Sequence, residues 1–167
     1  MGSVEHKEKA KKPIKCALVT VSDSRKVEND VSGKMLKESL ESAGHRVVFY
    51  KIVPDEPEQI KAVVELIGGM PDCEAAVFNG GTGISKRDRT FDVIDSLLEK
   101  RLPGFGEIFR YLSYLDIGSA AIMSRATAGS YRGKIIISIP GSPAAVRLAL
   151  EKLILPELAH MCWELTR

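Results

Sequence analysis

The stretch from Asn79 to Thr90, "NGGTGISKRDRT", concentrates groups that could do chemistry. Gly80, Gly81 and Gly83 follow an apolar run. Without a Cβ, such residues adopt positive φ and let backbone N–H groups approach an anion. Thr82 adds a hydroxyl donor, and Lys86, Arg87 and Arg89 surround a single acid, Asp88. No GxxxxGK[ST] string occurs, so this is not a Walker loop. A tight strand-to-helix turn with no ligand is the plain alternative.

Asp55, in "VPDE", is the second acid of interest. Magnesium prefers oxygen ligation by one or two carboxylates together with substrate phosphates, and Asp55 and Asp88 suit that role. Taken alone, Asp55 reads equally well as a turn or cap residue, and Asp88 as a member of a mixed charge run. Taken with the glycines, they read as a site. Replacing either with alanine is expected to leave folding nearly intact and to cut turnover on the order of 10²-fold or more.

Further candidates are Ser22 and Asp23 in "SDSR", and Asp30, Ser32 and Gly33 at a helix start where capping is the ordinary explanation. Glu107 on the "PGFGE" loop is a candidate ligand-binding acid. Ser124 and Arg125 follow an apolar run, and Arg125 could clamp a phosphate bidentately. In "PGSP", Pro140, Gly141 and Ser142 precede a helix that Ser142 caps, or they touch an anion. His45 and His160 read as structural or superficial. With no GxSxG elbow, a hydrolytic triad is not indicated.

The elements that must carry these residues follow from periodicity. "IKCALVTV" (14–21), "HRVVFYKIV" (45–53) and "EAAVFN" (74–79) are strands, separated by helices marked by Leu36 and Leu40 and by Ile60, Val63, Val64 and Ile67. That alternation means a parallel sheet with right-handed crossovers. Ligands in such sheets bind beyond the carboxyl ends of the strands, the rim where "SDSR", "PDE" and "NGGTG" emerge. Residues 90–100 and 107–115 read as helices. Residues 119–124 and 133–140 read as strands joined by a hairpin turn through "ATAGSYRG", an antiparallel element. A long helix follows "PGSP" to about Trp163. It is apolar on more than one face, so it lies in the core or against another subunit, and Pro156 should kink or divide it.

The fold class is therefore α/β, a three-layer α/β/α sandwich with a mostly parallel sheet. Residues 13–167 form a single domain behind a solvated, disordered basic tail at 1–12. The 167 residues suit one domain burying about 70% of its unfolded surface. A net charge of +2 argues against a nucleic-acid partner. No apolar stretch approaches the roughly 20 residues of a membrane span. Three widely spaced cysteines without a CxxC pair fit a reducing cytoplasm.

"VSDSR", "VPDE", "NGGTGISKRD", "LPGFGE", "MSRATAG" and "IPGSP" occur in that order between residues 21 and 143. Together they resemble the molybdopterin-binding family, specifically the MogA/MoaB molybdopterin adenylyltransferases, with the MoaB branch the nearer. The resemblance implies a trimer, or a hexamer of two trimers, with Phe105, Phe109, Tyr111, Tyr114 and the long helix available for an interface. It implies a reaction in which the terminal phosphate of molybdopterin attacks the α-phosphate of ATP with Mg²⁺, giving adenylylated molybdopterin and pyrophosphate. The family's two essential carboxylates fall on Asp55 and Asp88. Its phosphate loop falls on Gly80–Gly83, with Ser142 nearby, and a molybdenum insertase is an implied partner. Some MoaB members lack both acids and are silent for adenylylation; this chain has them. Asn79 stands where relatives often carry Thr. A pterin carrier without ATP chemistry, and a hydrolase reusing the cleft, are the rival readings.

Overall fold

The computed structural model describes Glu5 and residues 12–167; the expected tail thus falls largely outside the described residues. Along the chain, β1 (Lys15–Val21) leads through a short 3₁₀ turn to α1 (Val31–Ser42), β2 (Arg46–Val53), α2 (Pro57–Gly68) and β3 (Ala75–Asn79). Then come α3 (Thr90–Leu97), β4 (Lys100–Arg101), α4 (Pro103–Ile117) and a 3₁₀ segment Gly118–Met123. The hairpin β5 (Thr127–Tyr131) and β6 (Lys134–Ile139) precedes α5 (Pro143–Ala149), a π-helical turn Leu150–Ile154 and α6 (Leu155–Thr166).

The six strands form one sheet in the order β2-β1-β3-β6-β5-β4. β1, β2, β3 and β6 are parallel, and β5 runs antiparallel to both neighbours. Strand alternation divides the core into two layers. Cys16, Leu18, Val77, Ile135 and Ile137 face α1, α4, α5 and α6, where Leu36, Leu40, Phe109 and Leu158 are fully buried. Ala17, Val19, Phe78 and Ile136 face α2 and α3, against Ile60, Val64, Ile67 and Ile94. Each such aliphatic side chain contributes about 1.5–3 kcal/mol by leaving water. Sheet and two helical layers make the expected α/β/α sandwich.

Three expectations change. Residues 119–124 are not a strand but the 3₁₀ segment Gly118–Met123, with Ile122 79% exposed; a short apolar run does not by itself distinguish the two. The hairpin is displaced, because the supposed turn "ATAGSYRG" contains β5 itself. Its turn-like composition has a packing cause. A Cβ on Gly129 would lie 2.2 Å from the Lys100 carbonyl of β4, so the strand needs a bare Cα there. The reversal is made by Arg132 and Gly133 (φ 46° and 73°), the two left-handed positions of a tight hairpin. Lastly, "PGFGE" opens α4 with Pro at its start rather than forming a loop, so Glu107 sits on an exposed helix surface.

The last helix is divided as expected, by a π-helical segment Leu150–Ile154 directly before the turn that carries Pro156. That π turn absorbs the proline, with the Leu155 N–H reaching back to Leu150 O just before the residue that has no N–H to donate. Phe105 and Phe109 lie in the chain's own core and are not free for an interface, whereas Tyr111 and Tyr114 are exposed. All three cysteines are buried and free. No helix among the described residues is long and apolar enough to cross a membrane.

Candidate functional site

From β1 the chain crosses to one side of the sheet, towards β2; β3, its other neighbour, is bordered by β6. Such a reversal of strand order opens a crevice at the strand ends. The loops after β1, β3 and β6 close on one another there. A Cβ on Gly80 (φ 104°) would stand 2.2 Å from Val21 O, and one on Gly141 would stand 3.0 Å from the Gly80 Cα. The Gly80 N–H is tied to Ile139 O at 3.0 Å. Glycine at 80 and 141 is thus a condition for the three loops to meet. The result is a cleft of 480 Å³ walled by Ser22, Ser24, Arg25, Gly80–Gly83, Asp88, Ser124, Pro140 and Gly141, with Val21 and Met123 completing it.

The two acids sit differently. Asp88 lies on the cleft wall and packs on Gly83, where a Cβ would approach its Oδ2 to 2.7 Å. That Oδ2 accepts from the Ser85 hydroxyl (2.5 Å) and N–H (3.3 Å), and Oδ1 carries no hydrogen bond among the described residues. Asp55 is buried under the glycine loop, only 5% exposed. Its Oδ1 accepts from the Arg89 N–H (3.1 Å) and the Thr90 hydroxyl (3.2 Å) at the start of α3. A Cβ on Gly81 (φ 65°) would stand 2.3 Å from Asp55 Oδ2 and 2.1 Å from Thr90 Oγ1. Burial raises the Asp55 pKa above the ordinary carboxylate value, opposed by those two donors and reinforced by the charges of Asp88 and Asp23. The acids therefore sense one another across the loop, one beneath it and one beside it.

Asp23 is exposed and holds Arg87 in a two-point pair, Nε–Oδ2 2.7 Å and Nη2–Oδ1 2.9 Å, while also accepting the Asp55 N–H. Arg87 also pairs with Glu56 at 2.7 Å, and its hydrogen bonds hold the Asp23 carboxyl below its usual range. Arg125 is engaged as well. Nε donates to Thr82 O (2.9 Å), Nη2 to Gly83 O (2.7 Å), and Nη1 and Nη2 to the two oxygens of Asp92 (2.9 and 3.1 Å). Arg125 thus fastens the loop, and it also lines a second cleft of 440 Å³ on the other side of Asp88. Lys86 and Arg89 make no side-chain hydrogen bond or ion pair among the described residues, and they line the same second cleft.

The "DVSG" group belongs to the scaffold beside the cleft. Asp30 is buried, caps α1 through the Gly33 N–H (3.0 Å) and accepts from Thr20 Oγ1 (2.6 Å) and the Tyr50 hydroxyl. Gly33 is required because a Cβ would collide with Asp30 Oδ2 at 2.1 Å. Asn79 is fully buried and donates to Thr20 Oγ1 at 3.0 Å, while its Oδ1 has no partner among the described residues. Ser32 and Arg25 both donate to Gly141 O, at 2.7 and 3.2 Å, holding the third loop in place. Ser22 Oγ accepts from the Ser24 and Arg25 N–H groups, which shapes the first loop.

Ser142 caps α5 through the Ala145 N–H. It lines a small 150 Å³ pocket that shares Ser124 and Pro140 with the main cleft. Glu107 lines none of these clefts. Sequence reasoning missed Thr90, Tyr50 and Asp92, whose partners are 35, 20 and 33 residues away. The signal available in advance was slight: Thr90 and Asp92 stand in the first turn of a helix, and Tyr50 is an aromatic residue within a strand.

A family model described as a probable molybdopterin binding domain matches residues 17–160, most of the folded chain. The chain belongs to the molybdopterin-binding domain family. Within it, the chain is 51% identical to molybdenum cofactor biosynthesis protein B of Bacillus subtilis (strain 168), over 100% of this chain and 99% of that protein. A crystal structure of a molybdenum cofactor biosynthesis protein B superimposes with a TM-score of 0.91 at 50% identity, covering 93% of this chain and 98% of the other. The tungsten cofactor synthesizing protein MoaB from Pyrococcus furiosus gives 0.82 at 38% identity, covering 93% and 99%. The sandwich, with its single antiparallel strand, is the molybdopterin-binding fold.

Proposed function

We propose that this protein acts in molybdenum cofactor biosynthesis as a Mg-ATP-dependent molybdopterin adenylyltransferase. Full-length likeness to cofactor biosynthesis proteins B supports the pathway. The observation that supports the reaction is Asp88 on the wall of a glycine-floored cleft, beside a loop underpinned by the buried Asp55.

In this reading the terminal phosphate oxygen of molybdopterin attacks the α-phosphorus of ATP. The bond to the bridging oxygen breaks, and pyrophosphate leaves with that oxygen. Attack of one polyanion on another needs alignment and charge neutralisation rather than a protein nucleophile. The glycine loop supplies N–H donors, and Lys86 and Arg89 supply cations, that have no partner among the described residues. The acids fit magnesium carried in with a polyphosphate. Among the described residues Asp88 Oδ1 and Asp55 Oδ2 accept no hydrogen bond, and no cluster of three or more His, Cys, Asp or Glu side chains suits a resident metal. The ion would neutralise phosphate charge and help orient the leaving group.

The exposed apolar surface of Tyr111, Tyr114, Leu115, Ile117, Ile122 and Met123 supports assembly into a homo-oligomer through α4 and the segment after it. The deciding experiment incubates the protein with molybdopterin, ATP and Mg²⁺ and looks for adenylylated molybdopterin and pyrophosphate. Product formed equally by an Asp55→Asn/Asp88→Asn double variant would sink the assignment of roles. Pterin binding without affinity for Mg-ATP would mark a carrier instead.

A further inference from the structure

Three consecutive carbonyls of the glycine loop are taken by donors of the protein itself. Gly81 O accepts from the Thr90 N–H at 3.1 Å, Thr82 O from Arg125 Nε at 2.9 Å and Gly83 O from Arg125 Nη2 at 2.7 Å. A planar trans peptide points its N–H opposite to its C=O. Fixing those carbonyls therefore fixes the N–H groups of Thr82, Gly83 and Ile84 in the opposite sense, and none of the three makes a hydrogen bond among the described residues. Such a run of free N–H groups is a concavity for an anion.

We propose that Arg125, oriented by Asp92, is a positioning residue. By gripping two carbonyls it turns the Gly83 and Ile84 N–H groups towards the polyphosphate, and it is not itself a phosphate ligand. The inference rests on the phosphate-binding reading of this cleft. Three observations carry it. Arg125 lines the neighbouring cleft with Lys86 and Arg89 rather than the glycine-floored one, and unlike those two it spends its guanidinium donors on the loop carbonyls and Asp92. Its guanidinium is held by both oxygens of Asp92 and by the Phe91 ring 4.6 Å from Cζ. The planar fork matches two adjacent carbonyls and a carboxylate at once, a geometry that a lysine ammonium cannot reproduce. Loop and α3 are thereby clamped from one side by Arg125–Asp92 and from the other by Asp55.

Charge and position make opposite forecasts for Asp92, which decides the test. The probe is inorganic tripolyphosphate with Mg²⁺, titrated calorimetrically into wild type, Arg125→Lys and Asp92→Asn, with thermal melts alongside. Removing a negative charge near an anion site should tighten binding if field alone mattered. Positioning instead predicts that Asp92→Asn weakens binding several-fold. It also predicts that Arg125→Lys, which keeps the charge, weakens binding on the order of tenfold to a hundredfold, as losing aimed donors to a charged group does. The Asp92 side chain is 53% exposed, so Asp92→Asn retains the fold and decides alone if Arg125→Lys does not. Tighter binding by Asp92→Asn, or undiminished binding by a folded Arg125→Lys, overturns the proposal and leaves the function standing. A wild-type protein without affinity for tripolyphosphate overturns both.

Discussion

Asp55 stands both under the loop and in the reaction, and the two roles separate by substitution. Asp55→Ala removes the acceptor for the Arg89 N–H and for the hydroxyl of fully buried Thr90. Each orphaned donor costs about 1–3 kcal/mol, and loss of a costly buried charge offsets part of that, leaving about 2–4 kcal/mol. For a domain of this size each kcal/mol lowers Tm by about 2–4 °C, so a fall of about 4–16 °C is expected. The sequence alone treats this substitution as nearly silent for folding; burial and the two donors reverse that.

Asp55→Asn behaves in the contrary way. The amide keeps an oxygen for both donors and loses only the charge. Because the folded pKa of Asp55 is raised above 3.8, the unfolded chain ionises first as pH climbs, and wild-type stability falls until the folded pKa is passed. The amide escapes that loss. Its stability relative to wild type should therefore rise between about pH 4 and neutrality and hold above it. Adenylylation should nevertheless fall on the order of 10²-fold or more, as loss of a preorganised charge does. Urea melts at pH 4 and pH 7 with product assays on both variants measure this. Wild-type turnover by Asp55→Asn would falsify the chemical role and leave Asp55 a staple; an Asp55→Ala protein as stable as wild type would refute the staple.

Gly81→Ala meets both a positive φ and two polar atoms within 2.3 Å of the new carbon; a melt should show several kcal/mol of destabilisation and calorimetry a loss of Mg-ATP binding, roughly the sum of strain and overpacking. Arg87→Ala breaks ion pairs whose partners are all more than two-fifths exposed; denaturation should register less than about 1 kcal/mol, shrinking further in high salt. Tyr50→Phe deletes one of the donors to buried Asp30, and denaturation should show about 1–3 kcal/mol lost with the cleft's Mg-ATP affinity largely retained.

Periodicity placed the strands to within a residue or two: β1, β3 and β6 are buried on both faces and spell apolar runs, while the half-exposed edge strand β2 is legible by its β-branched and aromatic residues. It misplaced β5 because four of its five residues are Thr, Ala, Gly and Ser, with Gly129 required by the close approach of β4. The glycine loop was legible for the same kind of reason in reverse: Gly80 and Gly81 need positive φ, which leaves a compositional trace. What a charged side chain does leaves no such trace. Arg87 and Arg125 stand near the loop as cations should, yet Asp23, Glu56 and Asp92 hold them, across 64, 31 and 33 positions of sequence. Lys86 and Arg89, one position before and two positions after Arg87, are the ones without an ion pair among the described residues. Charge in such a run is a property of residue types, whereas its availability is a property of the partners the fold brings up, and only the second decides which side chain touches the substrate.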